Sequence, residues 1–513
     1  MTRSHPPIWL PGMLLTALLA GAAAAATPAP GPGPGIQIFD QDGLVDVNLL
    51  GMRVTNFGPL AFDINTSSAG LEYPRGTGRT AVFSAGLWLA GMSDGSLKAA
   101  VTDYSSEYAP GIIVAGLPDN PGQPGYKVYM LRREYPNPAE RDAALADYNA
   151  GAVPHGAPPV FVRGDGSLTV IGDQMLWSVY NDADPAYHTN VGGSTAPLGV
   201  EVRQTIYEYD EAGSLGATVF MRFEIANRSP HVITDLHVGV WSDPDLGGFT
   251  DDLVGSDPGR DLGYCYNATN NDAIYGTQPP AVGIDLVGGA PVSSGPGLRS
   301  NAIIAYINGT DPANVTQTYH QLRGLMSDGS PVIDPTTGQP TRYWYPGNPV
   351  AATGWLDSSP ADRRMMVCSG PLGLVPEGTI TVWAAIVIGQ GPNRLGSISA
   401  LRFFDDQVQS FFDAYVAGVD PPSPRPLELN VWPNPGRAFA LGFSLGRAGR
   451  VRATIHDIQG REVARLADAD LPAGPHVLPW DGHSAGGRAA PGIYWARIVT
   501  TDGSAVRKIV RLE

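Results

Sequence analysis

LNVWPNPGRAFALGFSL (429–445), VRATIHDIQGREVARL (451–466) and LPAGPHVLPWDGHSAGGRAAPGIYWARIVTTDGSAVRKIVRLE (471–513) close the chain. Apolar residues recur in short runs: Val451, Ala453 and Ile455, then Ile493, Trp495 and Ile498. Gly and Pro clusters interrupt them at spacings of roughly ten residues, the rhythm of short antiparallel strands and tight turns. The pattern predicts a small, seven-strand-like β-sandwich over 427–513. The run DPPSPRP (420–426) precedes it as a stiff linker.

Working back from that linker, 36–419 reads as one large β-rich domain. Val219, Met221, Phe223 and Ile225 alternate with their neighbours, and after Asn227-Arg228-Ser229-Pro230 the alternation resumes over Val232 to Trp241. Period-two patterning on both sides of a Pro-containing turn predicts a β-hairpin. Gly86 to Ala90, Gly199 to Tyr209 and Thr379 to Ile388 also read as strands. The last is continuously apolar, which predicts a central place in a sheet. Two helices interrupt the strands. Asn137-Pro138 is a cap followed by proline at the first helical position, so a helix runs to about Gly151. Leu401, Phe404, Val408, Phe411 and Tyr415 recur at three- and four-residue steps over about 397–416, which predicts a helix packed on a sheet. The fold class is therefore mainly β: a large sandwich-type domain with a few helices, then a small sandwich.

At the other end, Arg3 and His5 precede an apolar core, Met13 to Ala20, and an alanine run ending at Ala26. This reads as a signal peptide over 1–26, too short and too broken by Pro11-Gly12 for a span. TPAPGPGPG (27–35) is an extended spacer. The expected destination is secreted, extracellular or cell-surface, without an integral membrane segment. The chain's formal charge is −16, and only three of its residues are lysine. From Arg425 onward 12 Arg and Lys face 8 Asp and Glu, a net +4, which leaves about −20 upstream by difference. An acidic, Asp-rich surface argues against nucleic acid as a partner.

The densest chemistry lies in SDPDLGGFTDDLVGSDPGRD (242–261). Like charges this close need solvent or a cation. Several carboxylates, backbone carbonyls and glycine turns are what Ca²⁺ requires. Asp243, Asp245, Asp251 and Asp252 are the candidate ligands, with solvated Asx-turns as the alternative. The spacing is not that of an EF-hand. Cys265 and Cys368 are either a disulfide, which export would permit, or two buried thiols. Asn181-Asp182-x-Asp184 is a weaker cation loop, and turn formation suits it better. His231 and His237, six apart, are expected on one strand face without a third ligand. Glu201 and Glu208 fall on opposite faces of their strand and make a poor glycosidase pair. Trp344 and Trp355 suit packing, or stacking on a sugar. No HExxH, GxSxG or phosphate-loop pattern occurs.

Two resemblances add to this reading. Pro433-Asn434-Pro435, Asp457-Ile458-Gln459-Gly460-Arg461-Glu462-Val463, Trp480-Asp481-Gly482, Gly486-Gly487-Arg488, Pro491-Gly492-Ile493-Tyr494 and Arg507-Lys508-Ile509-Val510 resemble the FlgD-like immunoglobulin module used as a C-terminal sorting domain in type IX secretion. GLEYPRGTGRTAVFSAGLWLAG (70–91), GVWSDPDLGGFTDDLVGSDPGRDLGYCYN (239–267) and CSGPLGLVPEGTITVWAAIVIGQGPNRLGSISAL (368–401) resemble large uncharacterised secreted proteins of gliding bacteria. Some of those carry Cys where this chain has Ser256. The resemblance implies placement, with the type IX machinery as partner, and assigns no activity. The resulting expectation is a secreted or surface structural or binding protein, with a glycan or protein ligand and Ca²⁺ as its ion. The alternative is a secreted hydrolase acting on polysaccharide.

Overall fold

The computed structural model describes residues 41–289, 299–416, 429–445, 448–472, 474–484, 486–500 and 503–512. The expected signal segment (1–26), spacer (27–35) and linker (420–426) lie outside the described residues. The chain is mainly β, as its alternating patterns require.

Two antiparallel sheets organise the large domain. The nine-stranded sheet runs in the order Tyr129–Arg132, Gln174–Asn181, Val200–Glu208, Thr218–Asn227, Thr379–Gly389, Ala281–Gly289, Leu262–Asn267, Asp252–Asp257, and Ala109–Pro110 pairs beside Gln174–Asn181. The continuously apolar Thr379–Gly389 strand is central, between Thr218–Asn227 and Ala281–Gly289. The five-stranded sheet runs Ala302–Ile307, Arg363–Leu374, Ile233–Asp243, Ser84–Ser93, Ser96–Ala100. The sheets meet face to face. A Cβ on Gly263 would lie 2.9 Å from Val367 Cγ2 and 3.1 Å from Ile303 Cγ2, so glycine permits the approach.

Alternation decides which face each residue covers. Leu87, Leu89, Val238, Val240, Met365 and Val367 point into the core between the sheets. Trp88, Trp241, Met366 and Cys368 point the other way, under helix α2 (Val315–Leu322). Strands buried on both faces read as apolar runs, which is why AGLWLAG and MMVCS look alike. The outer face of the nine-stranded sheet is covered by helix α3 (Arg394–Val416). Its Leu401, Phe404, Val408 and Phe411 are buried, so its aromatic stripe is core packing. Helix α1 (Pro138–Gly151) begins as expected, with the Asn137 side chain accepting from Glu140 N. No described helix is long and apolar enough to cross a bilayer.

One topological expectation fails. Thr218–Asn227 and Ile233–Asp243 do not form a hairpin. The first pairs with Val200–Glu208 and Thr379–Gly389, the second with Ser84–Ser93 and Arg363–Leu374. The Asn227–Pro230 turn therefore carries the chain from one sheet to the other. Alternation within each strand is the same for a hairpin and for a crossover, because period two fixes faces and not partners.

Residues 429–512 have a core of their own, made by Leu441, Val451, Ile455, Trp480, Ala496 and Ile509. A three-stranded sheet (Asn430–Trp432, Phe439–Leu445, Gly474–Trp480) and a four-stranded sheet (Glu462–Leu471, Gly449–Asp457, Gly492–Thr500, Gly503–Arg511) enclose it, and a short pair (His483–Ser484, Gly487–Arg488) lies beside them in the chain.

Candidate metal centre

The five-stranded sheet brings together two neighbouring strands, Ile233–Asp243 and Arg363–Leu374, with Ser242 paired to Met365. At this end the first strand finishes in Asp243 and continues through Pro244 to Asp245. The second is entered through Asp362. Ligand oxygens of Asp243, Asp245 and Asp362 lie within 4.8 Å of one another. Asp243 is buried and the other two are half-buried. A buried acidic triad of this kind can hold a metal ion.

Its surroundings leave negative charge in excess. Asp243 Oδ2 accepts from the Tyr104 hydroxyl and lies 3.5 Å from Arg364 Nη2. Arg364 also bonds the Tyr104 hydroxyl, stacks 5.5 Å from its ring centroid and reaches Asp311 at 3.6 Å. Asp362 Oδ2 accepts from Asn308 Nδ2 at 2.7 Å. Asp243 Oδ1 and Asp362 Oδ1 are buried without a hydrogen-bond partner, although the Asp243 side chain is only 5% exposed. Burial pushes the Asp243 carboxyl up to about 6, with Arg364 and Tyr104 opposing. Burial, then repulsion from Asp243 and Asp362, pushes Asp245 up to about 8. Desolvated carboxylates gathered this closely, two of them with an orphaned oxygen, are the state a cation would relieve.

Asp251 and Asp252 do not join this set. The stretch 242–261 is not one loop: Asp252–Asp257 is a strand, and with Leu262–Asn267 it forms a hairpin. Asp252 turns inward, fully desolvated, and accepts from Leu246 N at 3.1 Å. Asp251 closes a single 3₁₀ turn, Phe249–Asp251, beside Asn267. Asp257 pairs with Arg260 and Arg402, and Asp261 accepts from Ser300. Asp362 is the member of the triad that charge spacing along the chain does not reveal. It lies far away in the chain, and its one signal is an acidic residue immediately before the Arg363–Leu374 strand.

The other candidates resolve individually. Cys265 and Cys368 are free and buried, so the disulfide alternative is not the one adopted. Cys265 faces the core between the sheets, whereas Cys368 points to the opposite face of its own sheet, under α2. Asp182 accepts from Leu198, Gly199 and Val200 N, and Asp184 caps a 3₁₀ turn at Ala186 N, which are turn roles. His231 precedes the strand that holds His237, so the two do not share a strand. His237 is buried beside Tyr319, and His231 is exposed near Asp94. Trp344 and Trp355 pack on each other, with centroids 6.2 Å apart. Glu208 accepts from Val47 and Asn48 N, on the opposite face from Glu201.

No family model matches the chain, and no curated protein matches it. Among solved structures, a polysaccharide lyase is similar at 8% identity and a TM-score of 0.20, covering 61% of this chain and 34% of that one. The chain thus spans about a third of the lyase's length. The adhesin domain of Epf from Streptococcus pyogenes is similar at 8% identity and a TM-score of 0.15, covering 66% of this chain and 90% of that one. At these TM-scores neither likeness carries an argument.

Proposed function

We propose that this chain is a non-enzymatic protein of the cell surface or extracellular space, with a binding or structural role, whose large β-domain is fastened by Ca²⁺ at Asp243, Asp245 and Asp362. The observation that carries the ion is Asp243, a buried carboxylate with one unpartnered oxygen, whose ligand oxygen lies within 4.8 Å of those of two further carboxylates. All-oxygen donors suit a hard cation and not zinc. Oxygens on opposite sides of one Ca²⁺ are about 5 Å apart, twice the usual bond length, and the triad fits that span. The ion would tie the end of one strand to the start of its neighbour. Binding only the folded state, it stabilises by mass action. Thermal melting with and without Ca²⁺ tests this part.

The proposed route is the type IX pathway, with 427–513 as the sorting module, on the motifs quoted above. Deleting 427–513 should leave the protein in the periplasm, and normal surface display of the truncated chain would reduce the module to a structural role. The polysaccharide-hydrolase alternative needs a pair of carboxylates available to a substrate. Glu201 lines a cleft, but its oxygens already accept from Arg203, Arg228 and Ile113 N, which favours binding over catalysis.

A further inference from the structure

A cleft of about 350 Å³ opens on the large domain away from the acidic triad. Its floor is the outer end of the Val200–Glu208 strand, with Glu201 and Arg203 two apart on one face. One wall is the turn Val153–Gly156. Arg228 and Glu377, which lie on the two crossover turns between the sheets, also line the cleft. Ile112, Ile113 and Pro154 add apolar surface.

The charges form a chain. Arg203 Nη2 donates to Glu201 Oε1 at 3.0 Å, Arg228 Nη2 donates to the same oxygen at 3.4 Å, and Arg228 Nη1 donates to Glu377 Oε2. Two guanidiniums and two carboxylates cancel. The chain has spare hydrogen-bonding capacity at both ends. Among the described residues Arg203 makes one of the five bonds its guanidinium can donate, and its side chain is 28% exposed, so spare donors reach the cleft. Glu377 Oε1 has no described partner, and the side chain is 70% exposed.

Two backbone features hold this arrangement. Gly156 sits at φ +97°, and a Cβ there would lie 2.4 Å from Arg203 Cζ, so glycine lets the guanidinium lie against the turn. Glu377 has φ 59° in a turn closed by Gly378 N to Val375 O at 2.9 Å. Glycine is the ordinary residue in that conformation, and a larger side chain costs about 1 kcal/mol. Backbone strain of this kind gathers at ligand sites. Here its effect is to present a carboxylate over Arg228.

We propose that this cleft binds one uncharged sugar residue of a polysaccharide, whose hydroxyls accept from Arg203 and donate to Glu377. A self-neutralised site on a chain of net charge −16 does not attract an anion. Hydroxyl groups, which both donate and accept, use both of its ends, while Ile113 and Pro154 suit the C–H face of the ring. The cleft volume is at the small end for ligand sites, which matches one residue of a polymer. This inference rests on the binding reading above and names its ligand class.

The test is a glycan array with the full chain, followed by calorimetric titration of any neutral gluco-, manno-, galacto- or xylo-oligosaccharide bound. Polygalacturonate and inorganic phosphate serve as charged comparators. Arg203→Gln and Glu377→Gly are the variants, and the second relieves the turn, so it keeps the fold. Each should weaken neutral-glycan binding about tenfold or more, the loss of a hydrogen bond to a charged group. Neutral-glycan binding unchanged in both variants overturns the site and leaves the binding reading standing. Binding confined to polygalacturonate or phosphate overturns the assignment to an uncharged sugar. No binding to any probe overturns the site and the ligand-binding half of the functional reading, while the Ca²⁺ half is judged by melting.

Discussion

The side-chain amide of Asn227 donates to the carbonyl of Leu374, 147 residues away, at 2.9 Å. It also donates to His231 O at 2.8 Å, and its Oδ1 accepts from Ser229 N and Oγ. Its backbone carbonyl accepts from Glu377 N at 2.8 Å. One buried residue thus joins both crossovers between the two sheets, 227–233 and 374–379.

Asn227→Ala would unpair the buried Leu374 carbonyl together with two part-buried backbone groups, His231 O and Ser229 N. Each such loss costs about 1–3 kcal/mol. The large domain should lose on the order of 2–4 kcal/mol in urea unfolding, by the same arithmetic. The 429–512 module should unfold as before, since its core is separate. An unchanged urea midpoint would show that the crossovers do not depend on this side chain.

Several acids are buried away from the triad, and they set a pH dependence. Burial pushes Glu208 up to about 8, against bonds from Asn48 and Val47 N, and pushes Glu107 up to about 8 as well. A carboxyl raised in the folded state binds more protons there than in the unfolded chain. Its stabilising contribution is full below the unfolded value, about 4.5, and is lost as pH rises through about 8. Chemical unfolding should therefore show a more stable protein at pH 5 than at pH 8.5. Glu208→Gln, which keeps the acceptor, should flatten that slope, and a slope equal to the parent's would remove Glu208 as a contributor.

Cys265 and Cys368 should behave as inert thiols. Burial pushes both upward. A thiol reagent should titrate neither in the native protein and both in denaturant, and reductant should not shift the melt. Rapid native labelling would contradict the burial of these groups.

The C-terminal module stands on Trp480, which stacks on Phe439 at 5.5 Å, meets Tyr494 at 5.4 Å and donates from Nε1 to His483 O at 2.8 Å. Trp480→Ala should cost about 3–5 kcal/mol and melt this module alone. A simultaneous collapse of the large domain would contradict two independent cores.

Local patterns were legible in the sequence where one strand or one cap carried the information. Asn137-Pro138 marked α1, and the three- and four-residue steps from Leu401 marked α3. The continuous run from Thr379 marked a central strand. Pairing was not legible. The alternations on either side of Asn227 look the same whether the strands share a sheet or leave it. Helix α2 escaped because its eight residues, VTQTYHQL, bury only one turn against Trp88 and Trp241, and Asn314 is its only clear signal. The acidic triad was half legible for a related reason. Charge density pointed to Asp243 and Asp245 but also drew in Asp251 and Asp252, which are chain neighbours with different surroundings. Asp362 reaches the site through strand pairing, and charge spacing carries no trace of that.

Melting of the large domain in millimolar Ca²⁺ against chelator distinguishes these possibilities. Ca²⁺ at a hundred times its dissociation constant should add about 2.7 kcal/mol and raise the melting temperature, and chelation should reverse the rise. Asp243→Asn with Asp245→Asn, and separately Asp362→Asn, should abolish the response, whereas Asp251→Asn should keep it. Identical melts with Ca²⁺ and with chelator, or a response that survives Asp362→Asn, would contradict a calcium ion held by Asp243, Asp245 and Asp362.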